Sequence, residues 1–180
     1  NTPNNPTGAV YTRESLEAIA AICRDRDLWL ISDEVYWTIT GGHEHVSPRA
    51  LPGMEERTLV VNSLSKSHGM TGWRIGWIAG PRSVIPTLVS LNLVTTYGLP
   101  DFVSRAAAEA LENGYGVAEI AARYAARRAV FLEAVRGMNG VTVRGSQGGM
   151  YVMLDVSAIE PDCERFAWAL LDSEKVGVMP

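Results

Sequence analysis

The chain has 180 residues, a formal net charge of −4 and a composition that is 47% hydrophobic. The acidic balance opposes binding along a phosphate backbone, no basic cluster stands out, and no run of about 18 apolar residues exists. Neither nucleic acid nor a membrane is therefore an expected partner. Two cysteines far apart, Cys23 and Cys163, read as reduced thiols of a cytosolic protein rather than as a disulfide or a metal pair.

The chain opens on turn chemistry, Asn1-Thr2-Pro3-Asn4-Asn5-Pro6-Thr7-Gly8. Thr12 is placed to cap a helix over 13–25, in which Leu16, Ile19, Ala20 and Cys23 keep helical spacing. The run from Leu28 to Asp33 is apolar without alternation, which predicts a short strand of a parallel sheet covered on both faces. Residues 40–52 are a loop rich in glycine, histidine and proline. A second apolar strand runs from Arg57 to Asn62 and a third from Trp73 to Ala79, and Pro81 then opens a helix. Strands recurring with crossovers between them predict an α/β architecture with a mainly parallel sheet. Polar residues collect where strands end, Asp33 after one and Lys66 after the next. Ligands of open α/β sheets bind at such ends.

From Asp101 the character changes. Helices are predicted over 101–113 and 116–136, the second long and rich in alanine and arginine. Short strands follow at Val141–Arg144 and Met150–Leu154, and then a helix over 162–173. The division is part of a larger domain over 1–115, a connecting helix over 116–138, and part of a smaller α+β domain over 139–180. The chain begins on a loop with no element ahead of it and ends at Val178-Met179-Pro180 as a strand finishes, so truncation at both ends is expected.

The chemistry concentrates between Asn62 and Gly76. Lys66 sits in a Ser-rich turn, and Arg74 follows eight residues later, behind Gly69 and Gly72. A lysine does covalent chemistry only when it is desolvated or paired. An arginine in a glycine-containing loop is suited to gripping a phosphate. An amine that condenses with an aldehyde and a cation that holds a phosphate together point to pyridoxal 5'-phosphate (PLP). That cofactor needs a carboxylate at its pyridine nitrogen, and Asp33 can serve. It needs donors at its phenolic oxygen, and Tyr36 and Asn5 are available. Ser63, Ser65 and Arg74 can hold its phosphate. Taken singly, each residue has an ordinary reading: a surface lysine, a turn-forming aspartate, a packed aromatic, an ion-paired arginine. Their joint occurrence carries the argument.

The motifs Asn5-Pro6-Thr7-Gly8, Ser32-Asp33-Glu34-Val35-Tyr36, and Ser63-Leu64-Ser65-Lys66 followed by Gly72-Trp73-Arg74-Ile75-Gly76 resemble, in order, those of class I/II PLP-dependent aminotransferases of fold type I. The resemblance implies that Lys66 is the Schiff-base lysine and the base that moves a proton, and that Asp33 pairs with the pyridine nitrogen. It places Tyr36 and Asn5 on the phenolic oxygen, and Ser63, Arg74 and less directly Ser65 on the phosphate. It also implies amino-group transfer from an L-amino acid to a 2-oxo acid with ping-pong kinetics, a cytoplasmic homodimer, and often a cis bond before Pro6. Asp27–Ser32, Glu44–Pro48, Leu51–Met54 and Ser65–His68 look most like arginine–pyruvate transaminases, which implies arginine as donor and pyruvate as acceptor. The family's N-terminal phosphate loop, its ring-stacking aromatic and its substrate-carboxylate arginine have no counterpart among these residues.

Other classes compete. A carbon–sulfur β-lyase of the same fold would use the same cofactor residues, and a PLP-sensing transcription regulator would carry a DNA-binding domain ahead of Asn1. Ser63-x-x-Lys66 also matches the S-x-x-K of penicillin-binding proteins, whose serine opens a helix. No S-D-N or K-T-G accompanies it, and Gly69 and Gly72 disfavour a helix after the lysine. His43 and His45 read as solvated loop residues rather than metal ligands, and Arg123, Arg127 and Arg128 as a solvated helix face.

Overall fold

The computed structural model describes residues 1–180. Helix α1 spans Arg13–Asp25, and the Thr12 hydroxyl accepts a hydrogen bond from the Ser15 amide at 3.2 Å, as the capping pattern requires. Its apolar stripe, Leu16, Ala20 and Cys23, packs with Val46, Leu51 and Met54 of the following loop to form one core. Strands β1 (Leu30–Asp33), β2 (Thr58–Ser63) and β3 (Gly76–Ala79) form a sheet in that order.

The parallel expectation holds for β1 and β2, which pair from Leu30↔Thr58 to Asp33↔Val61. It fails for β3, which runs antiparallel to β2 with Ser63 opposite Gly76. The reason lies in the connection. Between β2 and β3 the chain makes only the one-turn helix α2 (Leu64–Ser67) and a 3-10 turn at Thr71–Trp73, too little helix to carry the strand across a face. The third strand is accordingly shorter than predicted, with Trp73 in the turn rather than the ladder. Double cover is also absent here: Ile31 is 67% exposed, and every residue of β3 is exposed.

A second core lies beneath the lysine segment. Leu64 and Ile75 pack with Val103, Ala107 and Ala110 of α4 (Asp101–Asn113), so α4 supports α2 from below. Helix α3 covers Ile85–Thr96. Pro81 does not open it; the Val84 amide donates to the Pro81 carbonyl at 3.1 Å in a turn, and Pro86 takes the first-turn position instead. Helix α5 runs over Val117–Val135. The hairpin β4 (Thr142–Arg144) and β5 (Met153–Asp155) pairs antiparallel, and α6 follows at Cys163–Glu174 with Asp162 as its cap. The last strand starts three residues later than predicted, because Met150–Val152 belong to the glycine loop that faces the site. Cys23 is buried and Cys163 exposed, both free. No helix is long and apolar enough to cross a membrane.

Candidate active site

Lys66 lies in α2, half-buried, on the wall of a cavity of about 290 Å³. Ser65 and Thr71 flank it, and Arg123, Tyr124 and Arg127 of α5 face it across the opening. The Ser-rich turn is thus a helical turn, held in place because its first residue caps it. The Ser63 hydroxyl accepts from the Ser65 amide at 2.9 Å and donates to the Ile75 carbonyl at 3.0 Å. Ser63 thus opens a single helical turn, as the penicillin-binding motif requires of its serine, but no helix continues past the lysine segment, as Gly69 and Gly72 imply. Its hydroxyl is turned to Ile75 and not to the lysine, and the helix ends at Ser67, before Gly69 at φ 65°.

Arg74 ends the 3-10 turn in the left-handed region, φ 53° and ψ 46°. Its guanidinium is exposed and donates to the Thr71 carbonyl at 2.9 Å, with no carboxylate partner. It lines a separate cavity of about 490 Å³ beside Asn62, Trp77 and α3. Lys66 and Arg74 thus flank the same turn from different sides.

Asn5, Asp33 and Tyr36 form a second group. The Asn5–Pro6 bond is cis, as is Thr2–Pro3. Asp33 closes β1, and its Oδ1 accepts from the Val35 amide at 3.1 Å, tightening the turn that carries Tyr36. Tyr36 is buried, at 4% exposure. Burial, the hydroxyl and charge of Tyr151, and the Asp33 carboxylate all push the Tyr36 phenol well above its usual range, while the nearby Asn5 side chain pulls the other way. The phenol therefore stays protonated and available as a donor.

Sequence reasoning missed Tyr151. It stands on the loop between β4 and β5 and meets the Tyr36 ring edge to face, with centroids 6.3 Å apart. That loop is sewn to the Asn5 motif: Ser146 donates to the Thr7 carbonyl at 2.8 Å, and Gly148 to the Gly8 carbonyl at 2.7 Å. The glycine-rich run Gly145–Gly149 was the available signal. A side chain at Gly148 would put its Cβ 2.9 Å from the Ile39 carbonyl oxygen, so only glycine admits this approach.

Two surface readings are corrected. Arg128 is half-buried and donates to the Gln147 carbonyl at 3.2 Å and to the Gly149 carbonyl, tying α5 to the loop; burial lowers its pKa. Arg127 and Arg123 line the lysine cavity, and Arg123 pairs with Glu119 at 3.3 Å. His45 is not solvated: its Nε2 meets the buried Glu34 carboxylate at 3.0 Å. No cluster of metal-ligating side chains forms around it.

Aminotransferase class I and II, as a family, matches residues 1–180, and the chain belongs to it. It is 43% identical over 180 residues to the arginine–pyruvate transaminase AruH of Pseudomonas aeruginosa, covering 99% of this chain and 46% of that one. To the aspartate/prephenate aminotransferase of Thermus thermophilus it is 42% identical over 186 residues, covering 100% and 47%. Among solved structures, the aromatic aminotransferase from Pyrococcus horikoshii OT3 superposes with a TM-score of 0.94 at 35% identity, over 100% of this chain and 49% of that one. The chain spans about half the length of the curated relatives it matches. Members of the family depend on PLP. The donor set fits that group: a half-buried amine on a cavity, and a buried phenol beside an amide and a carboxylate.

Proposed function

We propose that the protein is a PLP-dependent aminotransferase that moves an amino group from an L-amino acid to a 2-oxo acid with ping-pong kinetics, working as a cytoplasmic homodimer. The observation that supports this is that β1 and β2 run parallel with Asp33 opposite Val61, so Asp33, with the buried Tyr36 after it, and Lys66 on its cavity leave the sheet at the same end. The domain division follows the same reading: a cofactor-binding part over 1–115, the α5 connection over 116–138, and a smaller domain over 139–180.

When bound, PLP supplies the electron sink that stabilises negative charge at the substrate α-carbon. The remaining work falls to side chains. Lys66 would hold the cofactor and, as a neutral amine, would take and return the α-proton. Asp33 would hold the pyridine nitrogen and keep it charged. Tyr36 and Asn5 donate to the phenolic oxygen, Tyr36 as the phenol that burial keeps protonated. Arg74 and Ser63 hold the phosphate, with Ser65 adding a donor beside Lys66. To donate to a phosphate the Ser63 hydroxyl would have to turn from the Ile75 carbonyl, whereas the Arg74 guanidinium has N–H groups to spare beside the one on Thr71.

Arginine as donor and pyruvate as acceptor are the substrates favoured by the 43% identity to AruH, whose name states them. The test is the absorption spectrum of the full-length protein with PLP, before and after borohydride, followed by peptide mapping. A pyridoxyl group on Lys66 supports the reading. An unmodified Lys66 in folded protein overturns it. Alanine formed from arginine and pyruvate would then fix the substrates, whereas pyruvate released from cystathionine would mark the β-lyase.

A further inference from the structure

Next to Asp33 lies a buried charge that the mechanism above does not use. The Glu34 carboxylate is 6% exposed. Its Oε1 accepts from the Ser32 hydroxyl at 3.0 Å and the Ser47 hydroxyl at 2.6 Å, and its Oε2 meets His45 Nε2 at 3.0 Å. Its amide donates to the Val61 carbonyl at 2.9 Å, and its carbonyl accepts from Trp37 at 2.9 Å. The ionised Glu34 carboxylate can only accept, so His45 Nε2 is the donor, while His45 Nδ1 is buried with no partner.

Burying a carboxylate is costly, and an apolar residue of similar volume commonly stabilises a fold as well or better. A charge does something an apolar residue cannot: it imposes direction. Here donors from three places, β1 itself, Ser47 and His45, converge on one carboxylate. Adjacent residues of an extended strand project to opposite sides, so fixing Glu34 on one side fixes how Asp33 is presented on the other. The same anchor holds the start of the turn that carries Tyr36. Ser47 and His45 belong to the loop whose Val46 and Leu51 are in the α1 core, so the anchor is rigid at both ends.

We infer that Glu34 is a positioning residue, which through Ser32, Ser47 and His45 sets the orientation of the Asp33–Tyr36 turn toward the cofactor. The inference rests on the reading of Asp33 and Tyr36 as cofactor contacts. It predicts that disturbing Glu34 changes the cofactor's electronic environment without touching the cofactor.

The full-length protein loaded with PLP is titrated between about pH 5 and pH 10 by absorbance, as wild type, Glu34→Gln and Ser47→Ala. Far-UV circular dichroism and the thermal midpoint are recorded alongside. The expected result is a spectral midpoint displaced by about half a unit or more in both variants, the shift a displaced hydrogen bond produces, with secondary structure retained. A lowered thermal midpoint with an unmoved spectral midpoint is what a merely structural Glu34 gives, and it overturns the inference. If Glu34→Gln does not fold, Ser47→Ala, which keeps the carboxylate, decides by the same criterion. Loss of the PLP band in the wild type overturns the cofactor reading and the inference with it. A normal wild-type band with unmoved variants overturns the inference alone.

Discussion

Tyr36 and Tyr151 meet edge to face, with ring centroids 6.3 Å apart and planes at 80°, although 115 positions separate them in the chain. The contact joins the Asp33 turn to the loop between β4 and β5, and it accounts for much of the raised phenol of Tyr36 after burial itself. Tyr36→Phe keeps the ring packing and removes the hydroxyl. A phenolic cofactor oxygen deprived of a donor ionises less readily, so the spectral midpoint of bound PLP rises, by about one unit for one lost hydrogen bond. An absorbance titration checks both sign and size.

Lys66→Arg keeps a cation on the cavity wall and removes the amine. Transamination falls by about a thousandfold or more, the scale of a lost general base, and borohydride no longer fixes a pyridoxyl group to the Lys66 peptide. Mass spectrometry of that peptide together with steady-state rates checks the two expectations separately.

Arg128 holds the glycine loop through the Gln147 and Gly149 carbonyls. Arg128→Met fills the space of the side chain and leaves both carbonyls without their charged donor. Hydrogen bonds to charged groups contribute about 1.5–3 kcal/mol, and destabilisation in that range is expected by chemical denaturation of the full-length protein. The loss extends to PLP affinity, because the loop bears Tyr151.

Gly8 sits at φ 70°, and a Cβ there would come within 2.9 Å of the Gly148 carbonyl oxygen and of Ser146 Cα. Gly8→Ala is therefore strained in its backbone and blocked in space. A cost of about 1–3 kcal/mol follows from the conformation, with a matching fall in thermal midpoint. Asn5 shifts with the motif, so PLP binding weakens in the same variant.

The Glu34 carboxyl is pushed up by burial and pulled down further by His45, Ser47 and Ser32, so that it ends below the ordinary value of 4.5. A depressed folded-state value contributes stability that is complete above the unfolded pKa and is lost as pH falls through the folded one. Stability measured by denaturant at stepped pH falls below about pH 4.5, and the slope there is shallower in Glu34→Gln.

The local elements were legible because local rules decide them. Thr12 ahead of the Leu16–Cys23 stripe announced α1, and apolar runs after it announced β1 and β2. Non-local geometry was not legible. The direction of β3 depends on how little helix lies between Ser63 and Gly76, which the spacing of apolar runs does not reveal. The burial of His45 and Arg128 was hidden for a similar reason: their partners, Glu34 and the Gln147–Gly149 carbonyls, are distant in sequence. Within the site, the residue types named Lys66, Asp33, Tyr36 and Asn5 directly. Tyr151 carried no chemical signature of its own, and only the fold brings it to Tyr36.

The stitching of Ser146, Gln147 and Gly148 to Thr7 and Gly8, at 2.7–2.8 Å, has a kinetic consequence. These three amides are shielded only while the β4–β5 loop lies against the first ten residues, and the Gly149 amide only while the same loop lies against Ile39. Their deuterium uptake is therefore a clock for separation of the two segments and is insensitive to fraying of β4 or β5 themselves. Any opening of the molecule that leaves those amides slow must pivot elsewhere, with the loop travelling as one body with the Asn5 motif.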